Sequence, residues 1–243
     1  MTDLRVCHLY PEHLNIYADR GNIAVLRYRC ERRGIAFAVA GCGPGDPLPE
    51  ADLYYLGGGQ DRDQVAIAGD LVARAADLRA AVAGGAAVLA VCGGYQLLGH
   101  GYRGHTGDDM PGTGLVDLVT EAGPSRMIGN IAIRCELDRG DPRTVVGFEN
   151  HAGRTHLGEG VEPLGRVLHG HGNNGADGGE GVWAGRVLGT YIHGPLLPKN
   201  PWLADWLVRA SLERRHGTVA LDPLDDALEG EAHRVAERIA AAG

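Results

Sequence analysis

The sequence is short of positive charge. Its 243 residues hold 23 lysines and arginines against 31 aspartates and glutamates, a formal net charge of −8. Without a basic excess there is little to neutralise phosphates, which argues against a nucleic-acid or anionic-membrane binder. Long hydrophobic runs are also missing. Met1 to Arg20 carries Asp3, Arg5, Glu12 and Asp19 where a signal peptide needs an apolar block, and no later stretch approaches the roughly 18 apolar residues of a membrane span. The cysteines (Cys7, Cys30, Cys42, Cys92, Cys135) are odd in number with no C-x-x-C spacing, so neither a disulfide framework nor a metal site is suggested. The expectation is a cytoplasmic chain without membrane insertion. No glycine loop ends in Gly-Lys-Ser/Thr, and no G-x-G-x-x-G follows a strand and opens a helix, so neither ATP nor a dinucleotide is expected here. No linker or internal repeat divides the chain, and its hydrophobic content of 44% suffices for a core. We expect one domain over residues 1–243.

What is present reads as alternating strands and helices. Leu4 to Tyr10, Ile35 to Ala40, Leu53 to Leu56 and Ala86 to Val91 are short apolar strands, with helices predicted over Asn22 to Arg33 and Asp70 to Ala83. The order β-α-β-β-α-β indicates an α/β fold: an open, mostly parallel twisted sheet with helices on both faces. Beyond Gly99, Arg126 to Leu137 and Thr144 to Glu149 read as alternating strands, and Gly170 to Gly181 as a mobile loop. Val187 to Ile192 is another buried strand, and Trp202 to Arg215 and Leu224 to Ala241 are amphipathic helices.

The strongest chemical signal is Ala90-Val91-Cys92-Gly93-Gly94-Tyr95-Gln96, an apolar strand, a cysteine, two glycines and a helix start. This is the layout of a nucleophile elbow, and a thiol at a helix N-terminus is shifted toward thiolate. Cys7, Cys30 and Cys135, inside apparent strands or a helix, read as core cysteines. His193 follows a buried strand, whose carboxyl end would converge on the same crevice as Cys92, and is the candidate base; His151 is its rival. Gly57-Gly58-Gly59 follows another strand. Backbone N–H groups of Gly58 and Gly59, with that of Gly93, would hold an oxyanion.

Cys92-Gly93-Gly94-Tyr95-Gln96 and Tyr191-Ile192-His193-Gly194-Pro195 resemble the class I glutamine amidotransferases, which have a flavodoxin-like architecture, in the branch of the cobyric and cobyrinic acid synthases. The block from Phe148 to Thr155 is similar to that branch. The segments Tyr10 to Asn22 and Gly57 to Arg62 look like the amidotransferase subunits of lipid II isoglutaminyl synthases. The resemblance implies that Cys92 attacks the side-chain amide of L-glutamine and His193 handles the protons. It implies that Arg126 binds the substrate carboxylate, and Gln96 is a further candidate contact. It implies a heterodimer, in which ammonia passes to a Mur-ligase-like partner that holds ATP and magnesium and amidates the D-glutamate of the lipid II stem peptide. Cobalamin-type relatives usually carry a fused P-loop domain ahead of this region; here the chain opens on its first strand, which favours the cell-wall reading.

One departure stands out. Most class I amidotransferases place a glutamate two residues after the histidine, where this chain has Pro195. Glu149 could take its place, but the resemblance implies an aspartate supplied by the partner, and hence weak activity of the chain alone. Alternatives remain a cobyric-type acceptor, a non-catalytic binding module, and a cysteine peptidase or thiol esterase.

Overall fold

Apolar runs separated by glycines and short helices assemble side by side before the chain crosses into a second sheet. The computed structural model describes residues 2–16, 19–105, 109–137 and 141–243; Tyr17 and Ala18, inside the Tyr10 to Asn22 segment, lie outside the described residues. The first half contains β1 (Asp3–Leu9), α1 (Arg20–Glu31), β2 (Ala36–Cys42), β3 (Leu53–Leu56), α2 (Asp61–Ala73), α3 (Ala75–Ala83), β4 (Ala87–Val91) and α4 (Gly93–Gln96). The second half contains β5 (Gly101–Arg103), β6 (Met110–Pro111), β7 (Leu118–Cys135), β8 (Arg143–Leu157), β9 (Gly165–His169), β10 (Gly179–Glu180), β11 (Val182–Ala184) and β12 (Val187–Thr190), followed by α5 (Pro201–His216) and α6 (Ala227–Ala242).

The first sheet has the order β11-β12-β4-β3-β1-β2 and is parallel except for the edge strand β11. Every residue of β3, β4 and β12 is buried, as expected where both faces of a parallel sheet are covered. The expected α/β sheet is therefore present. Helix α1 is anchored by Arg29, whose guanidinium is buried and pairs with Asp205 of α5 at 2.6 Å and with Asp226 at 2.7 Å. Charge-assisted bonds of this kind satisfy a cation that could not be buried unpaired.

The second sheet goes beyond the sequence reading. It runs β10-β9-β7-β5-β6 with β8 against β7, and is mainly antiparallel. Strands β7 and β8 are much longer than the apolar stretches that announced them, because polar side chains on their open faces interrupt the hydrophobic pattern. A register shift between Ala122 and Met127 throws the Pro124-Ser125-Arg126 segment out of the ladder.

Two further expectations are corrected. The helix read as Asp70 to Ala83 begins at Asp61 and is two helices that meet at Arg74. Its polar first turn, with Asp61 and Asp63, hid the start from a periodicity argument while suiting a helix N-terminus. The Gly170 to Gly181 segment is tied down rather than mobile. The His171 and Gly172 N–H groups donate to the Glu149 carboxylate at 2.6 and 3.0 Å, and buried Asn173 accepts from the Tyr95 hydroxyl at 3.0 Å. Among the described residues, no helix is long and apolar enough to cross a membrane.

Glu180 of β10 is fully buried and clamps the end of β12, accepting the Tyr191 N–H at 2.7 Å and the Thr190 hydroxyl at 3.0 Å. Burial pushes its carboxyl up to about 8, with Glu149 adding to the rise, against the opposing effect of those two hydrogen bonds and of His193. A carboxyl raised by folding stabilises fully below its ordinary 4.5, and that contribution is lost as the pH rises through about 8. Glu180→Gln is therefore expected to remove a fall in Tm, on the order of 5 °C or more, between pH 5 and pH 8. Thermal denaturation across that range checks it; equal slopes for both proteins would contradict a proton held on Glu180.

Candidate active site

Cys92 caps β4 at the carboxyl edge of the first sheet. Its backbone has φ 50° and ψ −107°, a strained conformation for a residue with a side chain, as a nucleophile elbow requires. The turn is pinned on both sides. The Cys92 N–H donates to the Thr190 carbonyl of β12 at 2.8 Å, and the Gly94 N–H to the Gly57 carbonyl after β3 at 3.1 Å. The helix behind it, α4, is a single turn, so it offers local N–H groups rather than a long dipole. Burial raises the thiols of Cys7 and Cys42 and pushes that of Cys30 up to about 12, as befits core cysteines.

The parallel register of β12 on β4 pairs Thr190 with Val91, which brings the segment after β12 to the same edge. His193 is fixed there by its backbone: its N–H donates to the Phe148 carbonyl at 2.8 Å and its carbonyl accepts from the Phe148 N–H at 3.2 Å. Strand β8 comes so close that a Cβ on Gly147 would stand within 2.6 Å of the His193 carbonyl oxygen, so glycine is required.

A buried carboxyl of this same chain stands near the imidazole. Asp19, directly before α1, is fully buried with Oδ1 3.9 Å from His193 Nδ1. The Pro195 position, occupied by glutamate in most class I enzymes, instead packs over α1: a Cβ on Gly21 would lie 2.7 Å from Pro195 Cγ. Glu149, the other candidate, is committed to the His171 and Gly172 N–H groups and lies 3.5 Å from His151 Nε2. Burial would lower the His193 pKa, but the Cys92 sulfur and the Asp19 carboxylate outweigh it and raise the imidazole to about 10.

Asp19 also corrects the oxyanion reading. Its Oδ2 accepts the Gly58 N–H at 2.5 Å, so that donor is already used. A Cβ on Gly58 would come within 2.9 Å of His193 Cε1, which is why glycine stands there. Gly59 lines the cleft beside Cys92, and the N–H of Gly93, first in α4, has no carbonyl to meet within its helix. These two are the remaining candidate donors.

The cleft in front of Cys92 has a volume of about 460 Å³, enough for an amino acid, and its walls include Gln64, Gln96, Arg126 and His151. Gln96 is buried with Nε2 donating to the Tyr191 hydroxyl at 3.1 Å. Arg126 projects from the β7 irregularity and donates from Nε to Asn150 Oδ1 at 2.7 Å and from Nη2 to the Asn150 carbonyl at 2.9 Å. His151 stacks on Tyr191 with ring centroids 3.6 Å apart, and its Nδ1 bonds the Gly153 carbonyl. Cys92, His193 and Asp19 thus gather at one edge while Arg126 stands at the rim. Sequence reasoning missed Asp19, Gln64 and Asn150. Asp19 lay within a quoted segment, but nothing local tied it to His193.

Comparison with known proteins agrees with this geometry. Residues 5–201 match the model of the CobB/CobQ-like glutamine amidotransferase domain. The chain is 37% identical over 237 residues to subunit GatD of the glutamine-hydrolysing lipid II isoglutaminyl synthase of Staphylococcus aureus, covering 97% of this chain and 95% of that one. It is 39% identical over 233 residues to the same subunit of Streptococcus pneumoniae, covering 94% and 88%. Cobyric acid synthase of Pelotomaculum thermopropionicum is 37% identical over 163 residues, but only 31% of that protein is covered. Among solved structures, PurLQS of Thermotoga maritima shares the fold with a TM-score of 0.57 at 20% identity, covering 87% of this chain and 96% of that one. Family match, relatives and fold agree: the chain belongs to the CobB/CobQ-like glutamine amidotransferase domains.

Proposed function

We propose that this chain is the glutaminase subunit of a lipid II isoglutaminyl synthase. The observation that carries the reading is the identity of 37% and 39% to two such subunits over nearly the whole chain, together with Cys92 and His193 at one sheet edge. In this reading the Cys92 sulfur attacks the side-chain carbonyl carbon of L-glutamine, and the N–H groups of Gly59 and Gly93 receive the oxyanion. The C–N bond breaks as His193 gives its proton to departing ammonia, leaving a γ-glutamyl thioester. His193 then takes a proton from water, whose oxygen displaces the sulfur, and glutamate leaves.

The surrounding residues have distinct parts in that cycle. Asp19 holds the imidazole orientation and offsets its charge from inside the protein, as a triad acid does. Arg126, with Nε and Nη2 on Asn150, turns Nη1 to the substrate α-carboxylate. Gln96 braces the cleft floor beside Tyr191. Ammonia then passes to a Mur-ligase-like partner in a heterodimer on the cytoplasmic side of the membrane. That partner amidates the α-carboxyl of D-glutamate in the lipid II stem peptide, and the ATP and magnesium of that step belong to it. This chain itself needs no cofactor. The cobyric-type acceptor has less support, because the match to such enzymes spans about a third of their length.

The deciding experiment measures glutamate release from L-glutamine by the purified chain, alone and with the partner. Turnover is expected from the chain alone, to vanish in Cys92→Ala; absence of turnover in both conditions would remove the reading. Asp19→Asn is expected to lower kcat on the order of 10²-fold or more with little change in KM. Turnover that appears only with the partner, and that Asp19→Asn leaves untouched, would return the acid to the partner.

A further inference from the structure

Two residues of the cleft bury a polar atom with no hydrogen-bond partner among the described residues, His151 at Nε2 and Gln64 at Oε1; the first lies 3.5 Å from the Glu149 carboxylate, whereas half of the Gln64 amide has nothing to bond. Gln64 lies in the first turn of α2, is 2% exposed, and lines the cleft with Cys92. Its Nε2 donates to the Gly59 carbonyl at 3.4 Å, which fixes the two ends of the amide, and its buried Oε1 has no hydrogen-bond partner among the described residues. Buried polar atoms are almost always bonded, and an unmet carbonyl oxygen beside a nucleophile marks the place of a missing donor. The amide lies directly over the elbow: a Cβ on Gly93 would stand 2.9 Å from Gln64 Cδ and 3.1 Å from Nε2. A packing role alone would be filled as well by leucine or methionine.

We infer that Oε1 of Gln64 accepts an N–H of bound L-glutamine, which makes Gln64 a substrate-binding residue. The assignment rests on glutamine hydrolysis at Cys92 and deepens it. Glutamine offers N–H donors at its α-ammonium and at its side-chain amide, whereas Arg126, Gly59 and Gly93 bring donors only. An acceptor at Gln64 complements them.

The test titrates three ligands onto the full chain carrying Cys92→Ala, which blocks turnover: L-glutamine, L-glutamate γ-methyl ester and glutaramate. The ester lacks the carboxamide N–H groups and glutaramate lacks the α-ammonium. Adding Gln64→Leu is expected to weaken L-glutamine about tenfold and to leave unchanged the affinity of the analogue that lacks the donor concerned. Gln64→Met, unbranched and similar in length, repeats the comparison should leucine disturb the fold. Equal weakening of all three ligands, or none for L-glutamine, would overturn the assignment. A protein with Cys92 intact that neither binds nor hydrolyses L-glutamine would instead remove the functional reading itself.

Discussion

The structure is organised around a buried carboxylate. Asp19 lies with His193 in a place neither side chain shares with water, and an unpaired charge there would be severely destabilising. The protein meets that constraint from both sides. Asp19 takes the Gly58 N–H on Oδ2, its carbonyl accepts from the Asn22 N–H at 2.9 Å and the Tyr55 hydroxyl at 3.2 Å, and its helix is locked to α5 through Arg29. Asn22 in turn accepts the Leu197 N–H at 2.8 Å, fastening the start of α1 to the chain just beyond His193. One short stretch therefore couples the acid, the glycine loop and the histidine segment.

The second sheet completes what the first cannot hold alone. The parallel strands bring Cys92 and His193 to one edge, but a side chain after the end of a strand has no ladder to orient it. The Phe148 to His193 bridge extends β8 across that gap, at a closeness only Gly147 permits. The same strand carries Asn150 and His151 into the cleft wall, and its partner β7 breaks register to present Arg126. A buried chain of bonds through Thr155, Tyr191 and Gln96 ties that wall to the single-turn helix behind the nucleophile. Nucleophile and substrate wall are held by one polar network, which confers rigidity where geometry decides rate.

What could be read from residues alone follows from how local each signal is. Cys92 was legible because strand, strained residue and small neighbours are contiguous, and His193 because its strand is apolar and ends abruptly. Asp19 was not, since its meaning depends on the residue before α1 meeting the segment after β12, more than 170 positions away. Gly58 reads as an oxyanion donor because a glycine loop advertises free N–H groups but not their acceptors, here the Asp19 carboxyl. The boundaries of α2, β7 and β8 are hidden where polar side chains face solvent and dilute the period. The Gly170 to Gly181 segment is the converse case: its composition suggests motion, whereas Glu149 and Asn173 bind it from within.

In the proposed reading, an acid at Asp19 changes what a partner has left to control. If the imidazole is already oriented by Asp19, the chemistry of the dyad does not depend on a second protein. Control must then act on the cleft, whose volume of about 460 Å³ opens between Ile16, Arg62 and Arg126. Arg126 and Arg62 are exposed, unlike the buried residues around Cys92. A surface laid over that rim would exclude water, confine ammonia and immobilise the Arg126 guanidinium proposed for the substrate carboxylate, while Asp19 and His193 stay as they are. In such an arrangement partner binding acts on substrate capture and on the fate of ammonia, and the proton transfers remain a property of this chain.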